Sequence, residues 1–99
     1  MLHIINKSPF TTTSLDSCLR VAKAGSTILL IEDGVYGALG GTAVSDRVQA
    51  AAATHTVCVL APDVAARGLG DKVLDGIELV DYDGFVDLVA ANNGVQSWL

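Results

Sequence analysis

The side chains best suited to chemistry are two thiols, Cys18 in "SLDSCLRVAKAG" and Cys58 in "HTVCVL", together with two histidines and 11 carboxylates. A cysteine works as a nucleophile only as the thiolate, and apolar surroundings hold it as the thiol. Cys18 has Leu15 at i−3 and Ala22 at i+4, which puts it on an apolar helical stripe with Arg20 directed elsewhere. With Thr13 as N-cap and Asp16 closing an acidic capping box, Cys18 falls in the second turn, where the helix dipole has faded. That spacing predicts a core thiol. Cys58, between two valines in a strand-like run, reads the same way. His3 sits in an apolar run and His55 just before another, with no second histidine or cysteine at a ligand spacing, so no metal is expected. No serine occupies a nucleophile-elbow pattern, and no cofactor is implied.

Elements must bring such groups together. Four short apolar runs, at residues 2–5, 27–31, 56–60 and 77–80, lack a polar alternation and read as buried strands. Helical patterns lie between them at 14–24, from Val35 to Gly40-Gly41, at 45–53 and at 64–67. A last helix, at 84–91, is closed by Asn92-Asn93-Gly94. This alternation predicts a three-layer α/β/α fold on a mainly parallel sheet of four to five strands, in one domain over residues 1–99. The terminal "VQSWL" is the candidate fifth, edge strand.

Ligands of open parallel sheets sit beyond the carboxyl ends of the strands. There this sequence places Asn6-Lys7-Ser8-Pro9, Glu32-Asp33-Gly34, Ala61-Pro62-Asp63 and Asp81-Tyr82-Asp83-Gly84, with five carboxylates and one lysine. Such an edge repels phosphate. The glycines at 34, 37, 40 and 41 match neither the dinucleotide fingerprint nor the P-loop. Asp33, Asp63 and Asp83 stand at helix starts, where capping accounts for them better than a metal or general-acid cluster does.

A formal charge of −5 disfavours direct nucleic acid binding. No membrane-length apolar run or signal pattern is present, and two unpaired cysteines suit a reducing, cytoplasmic compartment. Charged residues make up only 17% of the chain, below the roughly 25% usual for soluble domains. With sheet edges to protect and an apolar Trp98-Leu99 terminus, this predicts burial against other chains.

Five segments in order, "LHIINKSPF" at 2–10, "EDGVYGAL" at 32–39, "APDVAARGL" at 61–69, "VDYDGFVDL" at 80–88 and "VQSWL" at the end, resemble the DsrH/TusB family. The resemblance implies a DsrE-like fold and a place in a heterohexamer with two sister DsrE-like subunits. Such complexes relay persulfide sulfur between small sulfur-carrier proteins. One branch serves dissimilatory sulfur oxidation and the other 2-thiouridine formation at the tRNA wobble position. In the family the main acceptor cysteine belongs to a sister subunit, after its third strand. Residues 60–68 here, "LAPDVAARG", contain no cysteine. The resemblance therefore implies an accessory subunit rather than the principal catalytic one. It also makes Cys18 a candidate secondary sulfur acceptor, because Cys18 matches a first-helix cysteine of the sulfur-oxidiser type. Together with "NKSPF" and "VQSWL", that favours the oxidiser branch. Two rivals from other classes are an independent small-molecule-binding protein using the acidic edge and a homo-oligomeric interaction module without sulfur chemistry.

Overall fold

In the computed structural model, which describes residues 1–98, the apolar runs pair side by side in one five-stranded sheet. The strands are β1 (Leu2–Ile5), β2 (Thr27–Leu30), β3 (Thr56–Leu60), β4 (Glu78–Val80) and β5 (Val95–Trp98). Their order is β4-β3-β2-β1-β5, and every pairing is parallel. The C-terminal run thus does form an edge strand, in register with β1 from Leu2 opposite Val95 to Ile5 opposite Trp98.

Parallel neighbours cannot be joined by a tight turn, so each connection crosses a face of the sheet. Three of them cross the same face. They carry α1 (Ser14–Val21), a 3-10 helix (Glu32–Ala38), α2 (Ser45–Ala51), α3 (Ala61–Ala66) and a short 3-10 turn (Gly70–Lys72). There Ile5, Ile28, Leu30, Val57 and Val59 pack against Leu15 and Cys18 of α1, Val35 and Ala38 of the 3-10 helix, Val48 of α2 and Val64 of α3. The other face presents Leu2, Ile4, Leu29 and Cys58, and one helix, α4 (Tyr82–Ala91), covers it through Phe85 and Leu88. Side chains fully buried in these two layers each contribute about 1.5–3 kcal/mol of transfer free energy.

Several element ends differ from the sequence expectation, each for a local reason. α1 stops at Val21 because Ala22 turns extended and the chain leaves through Gly25 at φ +88, whose N–H donates to Thr54 O. α3 begins at Ala61, three residues early, because Pro62 suits the first helical turn. α4 starts at Tyr82 because Asp81 is the N-cap, its carboxylate accepting from Gly84 N at 2.8 Å. The "EDGVYGA" stretch is a seven-residue 3-10 helix, longer than such runs usually are. It lies so close to β1 that a Cβ on Gly34 would stand 2.2 Å from Ile5 O. Only glycine fits there.

The terminal tryptophan is not left wet. Trp98 is half-buried against the first-face core, and its indole N–H donates to His3 Nδ1 at 3.1 Å. An indole can only donate, so Nδ1 is the acceptor and the imidazole proton sits on Nε2. Leu99 lies outside the described residues.

Two predictions follow from these contacts. Gly34→Ala lowers unfolding free energy in urea by about 3 kcal/mol or more, whereas Gly70→Ala, with open space around its Cβ and no positive φ, stays within about 1 kcal/mol of the parent. Equal effects of the two would show that the Gly34 approach is not tight in solution. The second concerns pH. Burial pulls the His3 pKa below its ordinary 6.5, and the N-terminal amine and His55 push the same way. The unfolded chain takes up the proton more readily, so this stabilisation is complete above pH 6.5 and is lost as pH falls through the lowered folded value. The urea midpoint therefore drops between pH 7 and about pH 5, before most carboxylates titrate. His3→Phe, with nothing to protonate there, flattens that slope; an unchanged slope would assign the acid sensitivity to another group.

Candidate functional site

The carboxyl edge of the sheet gathers the loops after β1, β2 and β3, and its acidic groups are largely occupied with one another's surroundings. Asp63, in the first turn of α3, does not cap its own helix; its Oδ2 accepts from Glu32 N at 2.6 Å. This contact holds Glu32 at φ +49, the one described non-glycine residue with positive φ. Asp33 does not cap either: its Oδ1 accepts from Arg67 Nη2 at 2.9 Å and Nε at 3.2 Å, while Arg67 Nη1 donates to Asp63 O at 3.1 Å. Asp83 is exposed beside the true cap, Asp81. Asn6, at the end of β1, has a buried Oδ1 without a hydrogen-bond partner among the described residues.

Sequence reasoning placed Asp33 and Asp63 at this edge but passed over Arg67. The available signal was its position four residues after Asp63 on one helix, which turns the two toward a common side. Nothing in the sequence marked Glu32 as left-handed.

The histidines stay apart from this edge as functional groups. His3 is committed to Trp98, and the His55 ring nitrogens lie 3.2 Å from the carbonyl oxygens of Ala51 and Ala22. Among the described residues, no group of three or more His, Cys, Asp or Glu is arranged to hold a metal ion.

Both thiols are buried and lie on opposite faces of the sheet. Cys18 has no exposed surface and packs among Leu15, Ile5 and Ile28 in the first-face core. Asp16, expected to close a capping box beneath it, instead takes Arg47 of α2 as its partner. Burial pushes the Cys18 thiol up to about 11. Cys58, equally buried, contacts Leu29 and Ile4's layer on the other face, with Sγ 3.9 Å from Glu78 Oε2. Burial, and then the Glu78 carboxylate, push it to about 11 as well. With the sheet between them the two cannot form a disulfide. The segment from Leu60 through α3, at the carboxyl end of β3, offers a proline, an aspartate and apolar residues, and no thiol.

The DsrH-like protein family model matches residues 7–95, nearly the whole chain. The chain belongs to the DsrH family. Full-length relatives bear the same relation: Protein TusB of Klebsiella pneumoniae is 36% identical and Protein TusB of Pectobacterium parmentieri 35% identical, each over 98 residues covering 99% of this chain and 100% of the relative. Among solved structures, the ychN protein from E. coli superposes with a TM-score of 0.84 over 97% of both chains at 18% identity. MTH1491 from Methanobacterium thermoautotrophicum gives 0.76 at 17% identity, covering 97% of this chain and 95% of its own. At those identities the likeness is one of fold. The DsrH-family fold expected from the sequence, α/β/α on a parallel sheet, is the one observed.

Buried thiols of this kind predict a reactivity pattern. At pH 8 a thiol with a pKa near 11 is about one part in a thousand thiolate. The native chain should therefore leave an aromatic disulfide reagent unconsumed over minutes, and urea should release two equivalents. Rapid native reaction at Cys18 would show that α1 opens readily.

Proposed function

We propose that this chain is an accessory subunit of a cytoplasmic sulfur-relay complex, built with sister DsrE-like subunits, that serves 2-thiouridine formation at the tRNA wobble position. The observation that carries the accessory role is the absence of a thiol at the carboxyl edge. Residues 60–68 hold no cysteine, and both cysteines of the chain are fully buried with raised pKa values. A persulfide must be reached by an incoming thiolate, which demands exposure. What this chain offers a relay is a shaped surface beside another subunit's cysteine.

The branch differs from the sequence expectation. The sulfur-oxidiser reading leaned on Cys18, but a thiol at that depth is explained by packing alone. Full-length likeness to TusB proteins supports the tRNA-thiolation branch instead. The rival small-molecule reading loses support for a related reason: Asp33 and Asp63, which it needs free, are engaged with Arg67 and the Glu32 amide.

The test is to co-express the chain with its two sister subunits, load the purified complex with a persulfide donor and weigh each chain intact. We expect an adduct of about 32 Da, one sulfur atom, on a sister subunit and none here. Cys18→Ser should leave wobble thiolation within about twofold of wild type in a complemented deletion strain, with the folded complex recovered. A sulfur adduct on this chain that disappears with Cys18→Ser would overturn the accessory role and make Cys18 a relay station. Failure of the deletion strain to lose 2-thiouridine would overturn the tRNA branch.

A further inference from the structure

The two faces of the sheet are unequally covered, and the thinner cover ends in an apolar surface. α4 turns Phe85 and Leu88 inward, both half-buried, and no residue of the helix is fully buried. Its outer side presents Tyr82, Val86 and Val89, which are 60%, 66% and 41% exposed. With Phe85 and Ala90 these line a shallow depression of about 410 Å³ whose exposed walls are apolar, and no charged side chain lines it. The spacing 82, 86, 89, 90 is that of one helical stripe, so the patch is continuous. A contiguous exposed apolar stripe of this kind marks a contact surface.

The charge around it says which kind. The first 72 residues carry six basic and six acidic side chains; the last 27 carry five carboxylates and no lysine, arginine or histidine. The whole formal charge of −5 therefore belongs to the segment containing β4, α4 and β5. Asp83 and Asp87, one turn apart and both exposed, run along one side of the stripe, and the exposed Asp81 stands at its start. A second copy docked across a two-fold axis would set these carboxylates against their own equivalents, and like charges at a contact cost several kcal/mol. Phosphate-rich partners, nucleic acid or anionic lipid, meet the same repulsion.

We infer that the outer face of α4 is the docking surface for a different protein chain whose contact face is apolar at its centre and rimmed with Lys or Arg. Tyr82 and Val86 enter that partner's apolar centre, and Asp81, Asp83 and Asp87 meet its basic rim. The inference rests on the relay-complex reading for the source of the partner, a sister subunit, and identifies which surface of this chain meets it. Burying the stripe supplies affinity, while the rim steers association and rejects self-pairing.

The experiment measures assembly of the purified chain with its co-expressed sister subunits by size exclusion and by surface-immobilised binding. Val86→Glu should keep the melting temperature within about 2 °C, since Val86 is mostly exposed, and weaken binding to the sisters at least tenfold. Asp83→Lys combined with Asp87→Lys should slow association at least tenfold at low salt, and raising salt to 0.5 M should narrow the gap. Alone, the wild-type chain should sediment as a monomer at micromolar concentration. Full assembly of both variants at wild-type affinity would overturn the inference while leaving the relay reading intact. Self-association abolished by Val86→Glu would overturn it in favour of a second copy. A wild-type chain that binds neither sister subunit overturns the relay reading, and this surface assignment with it.

Discussion

Every connection in an all-parallel sheet must cross one of its faces, and here three cross the first face and a single one the second. The rest of the molecule follows from that imbalance. On the first face, α1, the long 3-10 helix, α2 and α3 compete for the surface of only three central strands. They fit because Gly34 lets the 3-10 helix rest on the carbonyl of Ile5 and Gly37 lets it pass Leu15. On the second face the connection from β4 at one edge to β5 at the other carries one ten-residue helix. It can cover Leu2, Ile4, Leu29 and Cys58 but has nothing left to cover its own back.

The same imbalance separates the two thiols. Cys18 is drawn into the crowded face and Cys58 into the thin one, so neither meets the other and neither meets the carboxyl edge. At that edge the carboxylates serve as internal ties: Asp63 fixes the strained Glu32 backbone, and Asp33 with Arg67 joins the start of the 3-10 helix to α3. The exposed Asp33–Arg67 pair contributes little by itself, but the Asp63 bond to a backbone amide holds the loop shape. Both carboxylates are thereby taken up by contacts within the chain.

Much of this was legible in the residues. Short apolar runs without polar alternation mark buried parallel strands, so Leu2–Ile5 and Thr56–Leu60 were recognisable, whereas the exposed Val95–Trp98, with Gln96 and Ser97 inside it, was only a candidate until its pairing with β1 was seen. Leu15, Cys18 and Ala22 on one helical stripe foretold a core thiol, and the family resemblance was carried by segments that stand at strand ends and helix starts. Capping was read less well. A carboxylate near a helix start can reach its own amides or those of another element, and Asp33 and Asp63 take the second course because β2 and β3 are adjacent. Residues 31 and 34 apart in sequence met only through strand order.

What the sequence by itself determined is local and chemical: where strands and helices form, that no cysteine lies in residues 60–68, and that every uncompensated charge falls in the last 27 residues. Periodicity and composition act through near neighbours, so they need no knowledge of the fold. Only the tertiary structure decided which face each crossover takes. With that it decided that Trp98 is latched to His3, that both thiols are sealed, and that the acidic segment carries a bare apolar stripe. Those outcomes depend on which strands are neighbours and how many helices share a face, and contacts of that range leave no periodic trace in the chain.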